Sequence, residues 1–388
     1  MTVSGGASWL ESLAIRRAQG LYRHRYVLDS PQNMEVVVQD QRYLNFCSND
    51  YLGLANDPRL IESLQKGVAR YGLGAGASHL ICGHFAPHHA LEEDLAAFTG
   101  RERALLFSTG YMANLGVIAA LAGTDSLVLA DRLDHASLLD GVRLSGARWQ
   151  RYRHGDSADC AQRLEKAATR PVLIVTDGVF SMDGDCAPLP ELAALAERHR
   201  ALLMVDDAHG LGVLGDAGRG TLAHHGLGQR EVPILIGTLG KAFGTFGAFV
   251  AGAADLIEWL IQRARTYIYT TALPPALAEA TRTALQCVMT EEWRRVVLRE
   301  RIAQFRVGAE QLGLPIQDSL TPIQILMVGD NQRAVQFSEK LREQGIWVSA
   351  IRPPTVPVGQ ARLRITFSAA HRPEHVERLL AALASLYR

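Results

Sequence analysis

The strongest constraint in this chain is the way its short apolar runs end. Pro233-Ile-Leu-Ile-Gly237 stops at Thr238-Leu239-Gly240-Lys241, and Leu202-Leu-Met-Val205 stops at Asp206-Asp207-Ala208-His209-Gly210. A β-type run that halts at polar and glycine residues is how a buried strand of an α/β sheet reads where it delivers side chains at its carboxyl end. From about residue 46 to 290 such runs (104–107, 127–129, 172–175, 202–205, 234–236 and 248–250) alternate with helical patterns. The alternation predicts an α/β fold with a large, mostly parallel sheet wrapped by helices.

Past Pro274-Pro275 the pattern changes to a long helical stretch, a strand at 323–328, a helix at 334–344, strands at 346–348 and 363–367, and a helix from about Pro373. Three segments are expected. Residues 1–45 form an N-terminal helix and extended piece, 46–290 the large sheet domain, and 291–388 a small α+β domain. Ser8-Trp9-Leu10-Glu11 reads as a capping box opening the first helix.

Forty basic residues against forty acidic ones leave no net charge, which argues against nucleic acid or a polyanionic surface as partner. The five cysteines are scattered and no pair has a redox or zinc spacing, as expected of a protein of the reducing cytoplasm. No window approaches the ~20 apolar residues of a membrane span.

The strand ends carry the chemistry. A lysine able to form a Schiff base and a carboxylate able to pair with a pyridinium nitrogen are what pyridoxal phosphate (PLP) requires of a protein. Lys241 and Asp206 supply them, although a lone Asp206 could equally cap the next turn. His209 could hydrogen-bond the ring's phenolic oxygen, and His135, in Asp131-Arg132-Leu133-Asp134-His135, could stack on the ring or be an ordinary loop histidine. Ser108-Thr109-Gly110-Tyr111 sits between a strand and a helix, where free N–H groups and the dipole suit a phosphate. Thr238 offers another hydroxyl at the mouth of the same site.

Metal readings are weaker. Asp183 and Asp185 supply too few oxygens for a calcium loop. His84 and His88 have i, i+4 spacing, but Pro87 between them argues against one helix, and there is no HExxH. With His79, His89 and Glu92 they read as loop and helix-start residues, and no metal is expected.

Taken together, the motifs Asn45-Phe-Cys-Ser-Asn49-Asp-Tyr-Leu-Gly53, Asp131 to Ser137, Asp177 to Gly184, Val205 to Gly210, Thr238 to Gly244 and Tyr267 to Pro275 resemble those of the α-oxoamine synthases. These are fold-type I PLP enzymes that condense an amino acid with an acyl thioester and release carbon dioxide. Ala350 to Pro357, followed by Ala361-Arg362-Leu363-Arg364, resembles the member that joins L-alanine to a pimeloyl thioester in biotin synthesis. Sisters using glycine with acetyl- or succinyl-CoA tend to differ just before Val356-Pro357.

The resemblance implies roles position by position. Lys241 would carry the cofactor as a Schiff base, Asp206 pair with the pyridine nitrogen, His209 meet the phenolic oxygen and His135 stack on the ring. Gly110 and Tyr111 would lie at the cofactor, and Ser181 and Thr238 hydrogen-bond it. Asn49 and Arg364 would hold the amino acid's carboxylate, and Arg23 and Thr355 would contact the acyl substrate. Thr270 and Thr271 would reach the phosphate of a neighbouring subunit, implying a homodimer with sites at the interface. The carrier of the pimeloyl group, coenzyme A or an acyl carrier protein, stays open. The chain departs from the family's usual Gly-Gly-Ser-Arg stretch, having Gly74-Ala75-Gly76-Ala77-Ser78-His79 instead. On the last strand, alternation puts Arg362 and Arg364 on one face, so one can serve the site while the other forms a supporting ion pair.

Overall fold

The computed structural model describes residues 7–167 and 169–387. In chain order the strands are β1 (Glu35–Val38), β2 (Gln41–Asn45), β3 (Arg103–Phe107), β4 (Leu127–Asp131), β5 (Arg148–Tyr152), β6 (Val172–Asp177), β7 (Leu202–Asp206), β8 (Ile234–Thr238), β9 (Ala248–Gly252), β10 (Ile323–Gly329), β11 (Ile346–Trp347), β12 (Ser349–Ile351) and β13 (Ala361–Thr366). The first five α-helices among the described residues are α1 (Ala7–Ala18), α2 (Pro58–Tyr71), α3 (Ala86–Thr99), α4 (Gly110–Leu121) and α5 (Ala136–Ser145). The helix expected around Ser8 is α1, and the capping role expected of the Ser8 side chain lies outside the described residues.

The chain forms two compact units. One comprises the residues up to Tyr51, Met182–Gly184 and Val296 onward; the other comprises Leu52–Ser181 and Asp185–Arg295. The second unit holds a seven-stranded sheet in the order β3-β9-β8-β7-β6-β4-β5. β5, β4, β6, β7 and β8 run parallel, while β9 is antiparallel to both β8 and β3. This is the mostly parallel sheet that the alternation of runs predicts.

Both faces of that sheet are covered, which is why its strands read as continuous apolar runs. Val128, Ala130, Leu173 and Val175 join one core with Ala113 and Val117 of α4 and Leu138 and Val142 of α5. Their neighbours Leu127, Leu129, Val172 and Ile174 join the opposite core with Leu189, Leu192 and Ala196. Each fully buried aliphatic side chain contributes about 1.5–3 kcal/mol. β5 (Arg-Trp-Gln-Arg-Tyr) was not foreseen as a strand, because an edge strand with one solvated face needs no apolar run, and its arginines blunt the edge. α2 shows how the helices are bounded: Asp57 accepts the Arg59 N–H at 3.0 Å, Pro58 occupies the first turn, and Gly72 ends the helix at φ 79°.

The first unit carries two small sheets. β1 and β2 form a hairpin joined by β11, and β13 lies between β10 and β12, antiparallel to both.

Candidate active site

Lys241 projects from a loop held by its apolar neighbours. Leu239, Ala242 and Phe243 are buried, the Leu239 N–H donates to Gly247 O at 2.9 Å, and the Gly244 N–H donates to Lys241 O at 2.8 Å. The loop therefore has little freedom, and the lysine Nζ sits 2.8 Å from His209 Nε2. His209 is itself buried, in the turn that follows β7. Gly210 is required there, since a Cβ at that position would stand 2.1 Å from Asp207 Oδ1.

Register brings the carboxylates to the same end of the sheet. Asp177 pairs with Asp206 across β6 and β7, and Asp206 with Ile236 across β7 and β8, so Thr238 follows two residues on. Asp206 is buried; its Oδ1 accepts the Ala208 N–H at 3.1 Å and its Oδ2 accepts from Asn114 Nδ2 at 2.6 Å. The turn-capping alternative is thus realised on one oxygen. The other is held by Asn114 of α4, a residue the sequence reading missed. The same Asn114 amide donates to Ser137 Oγ at 2.8 Å, and Ser137 Oγ lies 2.7 Å from His135 Nδ1. One hydrogen-bonded chain therefore links Asp206 to His135.

His135 caps α5, and its backbone N–H donates to Asp177 Oδ2 at 2.7 Å. Desolvation by its surroundings lowers its pKa, against the opposing pull of the Asp206 charge, so the imidazole is held toward its neutral form although one side is open to solvent. Burial, then the Asp206 charge, raises the pKa of Asp177; burial, then the Asp177 charge, raises that of Asp134. Asp134 in turn accepts the Asp131 and Asp177 N–H groups, so these acids build the scaffold behind His135.

Gly110 and Tyr111 open α4, where Thr109 Oγ1 accepts the Met112 N–H at 3.2 Å. The N–H groups of Gly110 and Tyr111 have no acceptor within the helix. The Tyr111 hydroxyl donates to Asp140, and its ring stands edge-on to that of His135 at 6.4 Å. Thr238 Oγ1 donates to Gly247 O at 3.2 Å, and Ser181 is half-buried in the turn after Phe180. Thr271 bridges to Ser78 of the Gly74–His79 loop. A second residue missed from sequence is His154, clasped between Asp131 Oδ1 at 2.9 Å and Asp185 Oδ2 at 2.8 Å.

The first unit carries the other expected residues. β13 is buried along its whole length, so both of its arginines need partners. Arg362 binds Asp183 and donates to Met182 O at 2.9 Å and Gln360 O at 3.0 Å. Arg364 Nη2 donates to Asn49 Oδ1 at 3.1 Å, and the Tyr51 hydroxyl donates to the same oxygen at 3.1 Å. Burial pushes the Tyr51 hydroxyl up to about 12, against the Arg364 charge, so it stays a neutral donor. Asp183 and Asp185 thus each serve a basic group of the chain, Arg362 and His154, rather than converging on a calcium ion. Arg23 Nη2 donates to Thr355 Oγ1 at 3.2 Å beside a cavity of about 530 Å³ also lined by Tyr22, Arg342, Trp347 and Arg352.

The second unit's donor set fits PLP. A helix amino terminus offers N–H groups to a phosphate, Asp206 a carboxylate to a ring nitrogen, His135 a flat ring, and Lys241 an amine. Residues 41–383 match the family of class I and II aminotransferases. The 8-amino-7-oxononanoate synthase of Pseudomonas fluorescens is 62% identical over 376 residues, covering 97% of this chain and 96% of that one. That of Methylococcus capsulatus is 61% identical over 373 residues, covering 96% of each. The chain belongs to the 8-amino-7-oxononanoate synthase family.

The fold of that family extends beyond its own activity. A serine palmitoyltransferase from S. paucimobilis, solved with a bound PLP-myriocin aldimine, superposes with a TM-score of 0.93 at 30% identity, covering 98% of this chain and 96% of that one. The 8-amino-7-oxononanoate synthase of Francisella tularensis superposes with a TM-score of 0.78 at 32% identity, covering 88% of this chain and 97% of that one. The family and the fold-type I architecture read from the motifs are both borne out. No helix among the described residues is long and apolar enough to cross a membrane.

Proposed function

We propose that this chain is a PLP-dependent acyltransferase that joins L-alanine to a pimeloyl thioester, giving 8-amino-7-oxononanoate, carbon dioxide and the free carrier thiol, a step of biotin synthesis in the cytoplasm. The observation that carries the proposal is the Lys241 amine held 2.8 Å from His209 beside a buried Asp206, in a chain 62% identical to a named synthase. PLP, when bound, supplies an electron sink for negative charge at the amino acid's Cα.

The chain's own residues do the rest. Lys241 Nζ would hold the cofactor, and its free amine would take the Cα proton of alanine, which needs its usual pKa of about 10.4 effectively lowered at neutral pH. Asp206, fixed on both oxygens by Ala208 and Asn114, would pair with the ring nitrogen and favour its protonated form. His135, anchored through Asp177 and Ser137, would stack on the cofactor ring, and His209 would hydrogen-bond its phenolic oxygen. Gly110, Tyr111, Thr238 and Ser181 hold the cofactor. Arg364 and Asn49 clamp the alanine carboxylate, since a guanidinium fork matches a carboxylate better than a point charge does. Arg23 and Thr355 contact the acyl substrate. Thr270 and Thr271 serve the partner subunit's site in a homodimer. The carrier is coenzyme A or an acyl carrier protein.

The test is a competition. PLP-loaded protein is incubated with L-alanine and glycine together, plus equal pimeloyl-, succinyl- and acetyl-CoA, and the products are weighed by mass spectrometry. The expected outcome is dominant 8-amino-7-oxononanoate; a glycine-derived product overturns the substrate assignment and leaves the cofactor site standing.

A further inference from the structure

The Gly74–His79 loop, where the chain departs from the α-oxoamine synthase pattern, leads into a histidine cluster that the active site does not use. His84 precedes α3, and His89 and Glu92 lie on that helix at i, i+3 spacing, which puts them on one face. Ligand atoms of His84, His89 and Glu92 all lie within 4.8 Å of one another. His88 is excluded from such a set: its Nδ1 accepts the Phe85 N–H at 3.0 Å and its Nε2 donates to Leu273 O at 2.8 Å.

We infer that His84 Nε2, an imidazole nitrogen of His89 and Glu92 Oε2 form a binding site for a divalent cation of borderline softness, Zn²⁺ being the fitting ion, with water completing the tetrahedron. Two imidazoles, one carboxylate and a water are an established ligand set for zinc. Two of the three ligands are already oriented from behind, and the third, His89, is exposed with its Nε2 3.4 Å from Glu93 Oε1. His84 Nδ1 lies 2.9 Å from His79 Nδ1, and the His79 ring stacks on Tyr267 at 5.0 Å and 13°. The contact with His79 occupies His84 Nδ1 and leaves Nε2 as the ligand nitrogen. Glu92 Oε1 accepts the Leu106 N–H at 2.9 Å, which leaves Oε2 facing His84 Nε2 at 4.0 Å.

The Glu92 side chain is only 12% exposed. A buried carboxylate with so little compensation gains from a cation. Metal–ligand bonds of about 2.0–2.2 Å place ligand atoms roughly 3.3 Å apart, so the His84–Glu92 gap must close by about 0.7 Å, within the reach of a side-chain rotation. A cavity of about 280 Å³ opens beside the cluster and has room for the water. Arg103 also lines it, but its guanidinium pairs outward with Glu258 at 3.1 Å.

The test uses untagged holoenzyme, stripped with a chelator and dialysed, into which Zn²⁺ is titrated by calorimetry. One equivalent per chain is expected. Glu92→Gln and His89→Ala should each weaken it at least ~10-fold, the size of loss typical of perturbing a metal site, while His224→Ala, away from the cluster, leaves it intact. Co²⁺ in place of Zn²⁺ should give the visible bands of a tetrahedral ion, lost in His89→Ala. His89 is exposed, so that variant folds even where Glu92→Gln does not. Wild-type protein that takes up no equivalent, or an equivalent retained in His89→Ala with wild-type affinity, overturns the site.

Discussion

Replacing Arg364 with lysine separates anion recognition from structural charge on β13. The two arginines of that strand carry different roles in the proposed function. Arg362 is bound to the Asp183 carboxylate and two carbonyls, so its charge is spent inside the fold. Arg364 donates to Asn49 Oδ1 at 3.1 Å, and in the proposed function its guanidinium fork is what binds the substrate carboxylate. Lysine keeps the charge but replaces two parallel N–H···O bonds by one point contact. Losing one charge-assisted hydrogen bond costs about 1.5–3 kcal/mol, which is roughly a 10- to 150-fold rise in KM for L-alanine. The assay is steady-state kinetics with alanine varied at saturating pimeloyl thioester, then the reverse. The KM for the thioester should stay within about twofold. An alanine KM within about twofold of wild type, or an equal loss for both substrates, would refute the assignment. Arg362→Lys gives the contrast: it should lower the unfolding temperature and leave the alanine KM nearly unchanged.

Other residues make separate predictions. Lys241→Ala should abolish product formation and the cofactor's visible absorbance, and full activity in that variant would end the proposed scheme. Asn114→Leu removes the donors to Asp206 and Ser137 in a site 1% exposed, so urea unfolding of the apoprotein should report a loss of about 2–4 kcal/mol; a loss below about 0.5 kcal/mol would show that the amide does not hold the carboxylate. His154 is 25% exposed; burial alone would lower its pKa, but the hydrogen bonds it donates to Asp131 and Asp185 win and raise it to about 10. A raised histidine pKa contributes stability that is full below about pH 6.5 and is lost as pH climbs toward 10. His154→Gln should therefore be less stable than wild type by about 3 kcal/mol more at pH 6 than at pH 9, and a pH-independent difference would assign the pair no role.

What the sequence made legible was burial. A strand covered on both faces must be apolar throughout, so β4, β6, β7 and β8 announced themselves, and the first polar residue after each marked where the sheet opens to the site. Glycines flagged close approach, as at Gly210 against Asp207. β5 escaped because an edge strand lacks that requirement. The threonines at 270 and 271 were singled out by resemblance alone, and within the chain Thr271 pairs with Ser78.

What stayed hidden was partnership, because register and crossover set it and composition does not. Asn114 stands 92 residues before Asp206, inside the apolar helix Gly-Tyr-Met-Ala-Asn-Leu-Gly-Val-Ile-Ala-Ala-Leu, where it looks like an imperfection in a core helix. One signal could have found it. A helix that is apolar on all sides is buried, and a buried amide without a partner costs on the order of 1–3 kcal/mol. An asparagine kept in such a helix must therefore have an acceptor waiting in the fold. Parallel strands offer few polar groups except at their carboxyl ends, so the acceptor had to be a strand-end carboxylate. Asp177 already receives the His135 N–H, and Asp206 takes the amide. The same reasoning reaches His84 and Glu92, where a buried carboxylate faces two imidazoles and the group that satisfies all three is a cation.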